Sequence, residues 1–171
     1  MTSTASEPLR VVYLTNFISP DIREICSELD RRLDELTVLV SVPMESNRHW
    51  KPADHEFRVQ VQKTWTWTRT DRHPSGYEDV NYVHIPRDTY GQLRRRRPHV
   101  VISTELGARS MIASVYCRLH RNCRHVIAAN TSQHIESSRR GRMRDLQRKL
   151  LLGRADWVTH NGPSCRMFLS E

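Results

Sequence analysis

The stretch LRVVYLTNFISPDIREICSELDRRLDELTVLVSV, residues 9–42, decides the fold. Residues 9–15 form a continuous apolar and β-branched run, the pattern of a buried strand. Asn16 to Pro20 break that run. Pro20 suits the first turn of a helix, where its missing N–H would be unpaired in any case. From Asp21 onward, Ile22, Ile25, Leu29 and Leu33 recur near helical spacing with charges between them, which predicts an amphipathic helix. LTVLVSV, residues 36–42, is a second strand. Strand, helix and strand in so short a span make a βαβ unit, and such units build a parallel sheet covered by helices.

Working outward, the next segments are less regular. PMESNRHWKPADHE (43–56) is a polar loop with two prolines, and FRVQVQ (57–62) alternates as a half-exposed strand does. KTWTWTRTDRHPSGYED (63–79) reads as a long excursion with turn signals at Pro74-Ser75-Gly76. Trp65 and Trp67 share a face if that piece is extended; they either pack on the body or form a platform for a sugar or lipid. The rhythm then returns. VNYVHIP (80–86) is a strand, RDTYGQLRRRR (87–97) a short helix stopping before Pro98, and HVVIST (99–104) a strand. Residues 107–121 are a helix with Ala108, Met111, Ile112, Val115 and Leu119 on one side. RHVIAA (124–129) is the next strand. Residues 141–154 are a helix with Met143, Leu146, Leu150 and Leu151 inward, ADWVTHN (155–161) is the last strand, and GPSCRMFLSE opens a further helix. After a polar tail over 1–8, residues 9–171 therefore make one α/β domain, doubly wound, of about six mostly parallel strands with helices on both faces.

With 27 basic and 19 acidic residues among 171, the formal charge is +8, which favours anionic partners. Cys26, Cys117, Cys123 and Cys165 have neither CxxC nor zinc-ligand spacing, so reduced thiols in a cytoplasmic protein are expected. The first residues lack the apolar core of a signal peptide, and no apolar run reaches the roughly 18–20 residues of a membrane span.

In open parallel sheets, ligands bind beyond the carboxyl ends of the strands. Four loops leave such ends, at 15–20, 103–107, 130–138 and 160–163. They offer Asn16, Ser19, Glu105, Ser132 and Asn161 as hydroxyl-binding candidates, with His134 and Glu136 as candidates for proton transfer. The same loop also reads as a solvated segment in which Thr131 or Ser132 caps the following helix. A Ser–His–carboxylate triad is excluded, because no GxSxG elbow exists and close sequence neighbours rarely reach triad geometry. Arg139, Arg140 and Arg142 belong to an arginine-rich segment. It is either the solvated face of an amphipathic helix or a contact for phosphate groups and anionic headgroups. Nucleic acid is not expected, since no aromatics interleave with the arginines and no recognition motif is present. Asn161-Gly162-Pro163 is a capped turn or an anion-cradling helix start. There is no P-loop and no GxGxxG.

Several runs together resemble, in order, the amino-terminal half of family 4 glycosyltransferases. They are residues 11–40, NRHW, RRRRPHVVIST and the segment from Ala129 to Glu171. The closest likeness is to a pattern of S-E-H-T-E, R-G, an arginine-rich helix, R-A-D, N-G-x-S and an aromatic-leucine pair. Here it reads Ser132-Gln133-His134-Ile135-Glu136, Arg140-Gly141, Arg154-Ala155-Asp156, Asn161-Gly162-Pro163-Ser164 and Phe168-Leu169. The resemblance implies a Rossmann-like amino-terminal domain of a two-domain GT-B enzyme, which moves a sugar from a nucleotide-sugar to an acceptor without a bound metal. This half holds the acceptor, a sugar or lipid-linked molecule, and binds no cofactor of its own. The nucleotide-sugar is a co-substrate held by a carboxyl-terminal donor domain. His134 and Glu136 would then act at the acceptor, and Arg139, Arg140 and Arg142 would draw in its phosphate. Two departures stand out: Asn16 to Pro20 contain no glycine, and Gln133 replaces the first glutamate. No donor-binding motif lies in these residues, so a truncated chain, inactive without a donor domain or split partner, is expected. The competing reading is a non-catalytic basic module on an anionic membrane or nucleic acid. Peripheral contact with the inner face of the membrane is compatible with either.

Overall fold

The computed structural model describes residues 7–48, 55–72, 78–130 and 141–170. Among these, six parallel strands form one sheet: β1 (Arg10–Thr15), β2 (Glu35–Val40), β3 (Arg58–Val61), β6 (Val100–Thr104), β7 (Arg124–Ala129) and β8 (Trp157–His160). Their order is β3-β2-β1-β6-β7-β8, so the winding reverses between β1 and β6. This is the doubly wound, Rossmann-like arrangement that the opening βαβ unit predicts.

Alternation along the central strands decides which helix covers which face. Val11 and Tyr13 pack with Val38 and Val40 against Ile22 and Cys26 of α1 (Pro20–Arg32). Val12, Leu14 and Val101 face the other way, onto Leu93 of α2 (Thr89–Arg96) and Ala113, Tyr116 and Cys117 of α3 (Ala108–Leu119). Ile127 and Ala129 join Leu151 of α4 (Arg142–Leu152) and Cys165 of α5 (Pro163–Leu169). No helix among the described residues is long and apolar enough to cross a membrane.

Three expectations are corrected. Within the excursion over 63–79 lies a long strand: β4 (Thr64–Arg72) pairs antiparallel with β5 (Glu78–Pro86) in a separate hairpin. Trp65 and Trp67 lie on its outward face, each 53% exposed, and do not pack on the body. On α3, Leu119 is 65% exposed and Val115 is exposed as well, because the buried stripe runs through Arg109, Ser110, Ala113, Tyr116 and Cys117. On α4, Met143 is 80% exposed and Leu146 is exposed. The face turned to the body runs from exposed Arg144 through half-buried Gln147 to Leu151, at spacings of three and four, with the first two on a cleft and only the third in the core. In both helices the stripe begins with polar residues, so a search for apolar periodicity selects the neighbouring face.

Candidate functional site

The carboxyl ends of β1 and β6 diverge where the strand order reverses, and a cleft of about 640 Å³ opens there. Its floor is Thr15 and Asn16 after β1 and Thr104 to Ala108 around the turn into α3. One wall comes from Ala129 and Asn130 after β7 with Arg144 and Gln147 of α4, the other from Glu45 and Arg48 after β2 with Val80 and Tyr82 of the hairpin. Gln147 ties the first wall down, its Nε2 donating to the Leu106 carbonyl at 2.7 Å.

Asn16 is the hub. Its Nδ2 donates to Glu105 Oε1, and its Oδ1 accepts from Arg109 Nη2. Arg109 is buried and donates also to Ser41 Oγ at 2.7 Å. Glu105 is held in the left-handed region at φ 71, a conformation that a side chain with a Cβ seldom adopts. The Ser110 hydroxyl fixes this turn by donating to the Glu105 carbonyl at 2.5 Å. Strained backbone of this kind clusters where a side chain must be aimed.

Glu105 is exposed as a whole residue, and it lines the cleft beside Asn16. Burial pushes its pKa above the ordinary carboxylate range, opposed by the charge of Arg109 and reinforced by that of Glu45. Burial likewise lowers the Arg109 pKa, with Glu105 opposing. Each charge thus offsets part of the other's desolvation cost. A carboxyl in this state accepts a hydrogen bond when ionised and donates one when protonated, so it is suited to a hydroxyl ligand or to proton exchange. The adjoining amino end of α3, whose Gly107 and Ala108 line the cleft, favours negative charge.

The hairpin is fastened over the cleft by its inner face. His84 sits between Glu45 and Thr66, with Nε2 3.0 Å from Glu45 Oε1 and Nδ1 2.9 Å from Thr66 Oγ1. Arg48 Nε donates to Glu45 Oε2 at 3.0 Å, Tyr82 and Ser46 share a hydrogen bond of 2.6 Å, and Asn47 Nδ2 donates to the Val80 carbonyl at 3.0 Å. Glu45 is thereby buried without being unpaired.

Of the residues that the sequence singled out, Asn16, Ser19 and Glu105 line the cleft. Asn161 stands behind it, its Nδ2 donating to Asn130 Oδ1 at 2.5 Å. Asn161 does not cap α5, whose cap position is Gly162 with no side-chain cap bond. Arg142 opens α4 and is exposed, whereas Arg144, two residues on, lines the cleft. Ser132, His134, Glu136, Arg139 and Arg140 lie outside the described residues. Sequence reasoning missed Arg109, Glu45, His84 and Tyr82. Glu45 was within reach, because the carboxyl-end rule that selected four loops applies equally to the loop after LTVLVSV. Among the described residues no group of three or more His, Cys, Asp or Glu is placed to hold a metal ion. No protein-family model matches the chain, and no curated protein is significantly similar to it.

Proposed function

We propose that this chain is the acceptor-side domain of a nucleotide-sugar-dependent glycosyltransferase of the GT-B type. The observation that carries the reading is the open polar cleft at the strand reversal, where Asn16, Glu105 and Tyr82 offer a carboxamide, a carboxyl and a phenol to one cavity. Several hydrogen-bonding groups converging on a cavity of this size suit a polyhydroxylated ligand. In this reading Asn16 and Glu105 orient the acceptor sugar, Arg144 and the start of α3 attract its phosphate, and His134 and Glu136 act at the reacting hydroxyl. A donor-binding domain brings the nucleotide-sugar and stabilises the departing diphosphate.

The test is direct binding of n-octyl hexosides to the chain, followed by ligand-observed NMR. At least one hexoside is expected to bind. Asn16→Ala with Glu105→Gln should weaken it about tenfold, the loss of one net hydrogen bond's worth of free energy. If no hexoside binds, or the double variant binds as tightly as the parent with unchanged circular dichroism, the acceptor reading fails.

A second surface bears on where such an acceptor is met. On the outward face of the hairpin Trp65 and Trp67 lie 6.1 Å apart beside exposed Val83, and the Arg87 guanidinium stacks 4.6 Å over Trp65. Tryptophan beside arginine suits the headgroup zone of an anionic membrane, which favours peripheral contact through this face and a lipid-linked acceptor. Phosphatidylserine-containing vesicles should sediment the chain, phosphatidylcholine vesicles should not, and Trp65→Ala with Trp67→Ala should abolish sedimentation. Equal recovery with both lipids, or an unaffected double variant, would remove the membrane from the proposal.

A further inference from the structure

We propose that a basic cavity at the amino ends of β1, β6 and β7 is a second binding site, for a small molecule carrying a diphosphate. The cavity measures about 580 Å³ and lies at the opposite end of the sheet from the cleft. Arg10 and His99 enter it from the starts of β1 and β6, Arg94 and Arg97 from the end of α2, and Arg121 from the turn after α3. A single carboxylate, Glu7, balances these four arginines, and it is already held by Arg10 at 2.7 Å. The guanidinium groups of Arg94, Arg97 and Arg121 have no hydrogen bond or ion pair among the described residues.

Cations near a helix carboxyl end complement the helix dipole, which accounts for some arginine in the run 94–97. It does not account for Arg10, His99 and Arg121 converging from three other elements. The run itself is also divided. Arg96 turns to the sheet edge, where it donates to Gln92 Oε1 at 2.5 Å and to Gln60 Oε1, while Arg94 and Arg97 line the cavity.

Two details show an excess of donors over acceptors at this end of the sheet. The Arg10 backbone N–H donates to His99 Nδ1 at 3.1 Å, so the His99 proton sits on Nε2. That Nε2 lies 3.3 Å from Arg10 Nη2 and 3.8 Å from Glu7 Oε2, so two donors crowd together with one carboxylate, Glu7, to serve both. Arg97 occupies the left-handed region at φ 47, where helices usually end on glycine, and its carbonyl accepts from Arg10 Nε at 3.1 Å. An arginine kept where glycine is cheaper suggests that its side chain is needed. Guanidinium forks match phosphate oxygens two at a time, and the volume exceeds what a bare orthophosphate requires.

Isothermal titration of the full chain with inorganic pyrophosphate tests this. Saturable one-to-one binding is expected, weakened at least tenfold in Arg94→Gln with Arg97→Gln and unchanged in Glu105→Gln at the cleft. Arg97→Gly should separate binding from folding: it relieves the strained φ and should raise Tm by about 2 °C while still weakening pyrophosphate. No saturable binding, equal binding by the Arg94/Arg97 variant, or loss of binding only in Glu105→Gln would each overturn the proposal.

Discussion

Arg109→Leu is expected to destabilise the fold by about 1–3 kcal/mol, the range for leaving buried polar partners without their donor. Leucine fills part of the space but leaves Asn16 Oδ1 and Ser41 Oγ without their donor. It also leaves Glu105 without the positive charge that opposes its burial. The last effect gives the prediction a pH signature. Glu105 already titrates above its ordinary value, and losing Arg109 pushes it higher. For an acid whose folded pKa is raised, both states are protonated at low pH and nothing is lost. As pH climbs past the unfolded value, near 4.3, the unfolded chain ionises first, so stability falls until the folded pKa is passed. Urea denaturation of Arg109→Leu should therefore show a larger deficit at pH 8 than at pH 5. Adding Glu105→Gln should flatten that difference and recover part of the loss, a coupling that a double-mutant cycle reads directly. A cost below about 1 kcal/mol, or a deficit independent of pH, would mean that Arg109 is a packed stem and not the charge partner that holds Glu105.

The elements that sequence alone resolves are those whose burial is symmetrical. β1, β2, β6 and β7 are covered on both faces, so each reads as an unbroken apolar run, and their parallel pairing follows from the helices between them. The hairpin fails that test. Its outward face is tryptophan and aliphatic, while its inner face is threonine, tyrosine and histidine engaged with the loop after β2. A strand whose polar side faces the protein presents the expected alternation with its meaning inverted. The same inversion hides Arg109 and Gln147, which a helical wheel assigns to solvent although Arg109 is buried beneath the cleft and Gln147 lines it. The loop rule of parallel sheets brings Asn16, Ser19 and Glu105 to the cleft because it depends on connectivity alone. Residues brought in by tertiary packing from the hairpin, His84 and Tyr82, carry no such signal, since their approach to Glu45 and Ser46 spans the separation between two independent sheets.

Lowering the pH from 6.5 to 4 is expected to remove up to about 3 kcal/mol of stability through one imidazole, that of His125. The ring is buried beneath α3, 1% exposed, and burial lowers its pKa from 6.5 to about 4, against a weaker opposing pull from Asp156. Its Nε2 meets Ser103 Oγ at 2.9 Å, and Ser110 Oγ lies 2.8 Å from that same oxygen. Nδ1 is buried with no partner, so a second proton there would have nothing to receive it. A base with a depressed folded pKa contributes its stability above the unfolded value. The unfolded chain takes up the proton near pH 6.5 while the folded chain resists until about 4, so stability declines across that window and levels off beneath it. Asp156, whose carboxylate accepts the His125 backbone N–H at 2.8 Å and a bond from Arg124 at 2.9 Å, is itself held below its ordinary pKa and adds its own loss only in stronger acid. Other histidines titrate in the same range, so the informative quantity is the difference between the parent and His125→Gln, whose amide can still bond Ser103. Subtracting the two stability–pH curves should leave a slope confined to pH 4–6.5. If the curves run parallel through that interval, the imidazole is either charged already in the folded state or reached by water, and the seal over this part of the sheet is looser than its burial implies.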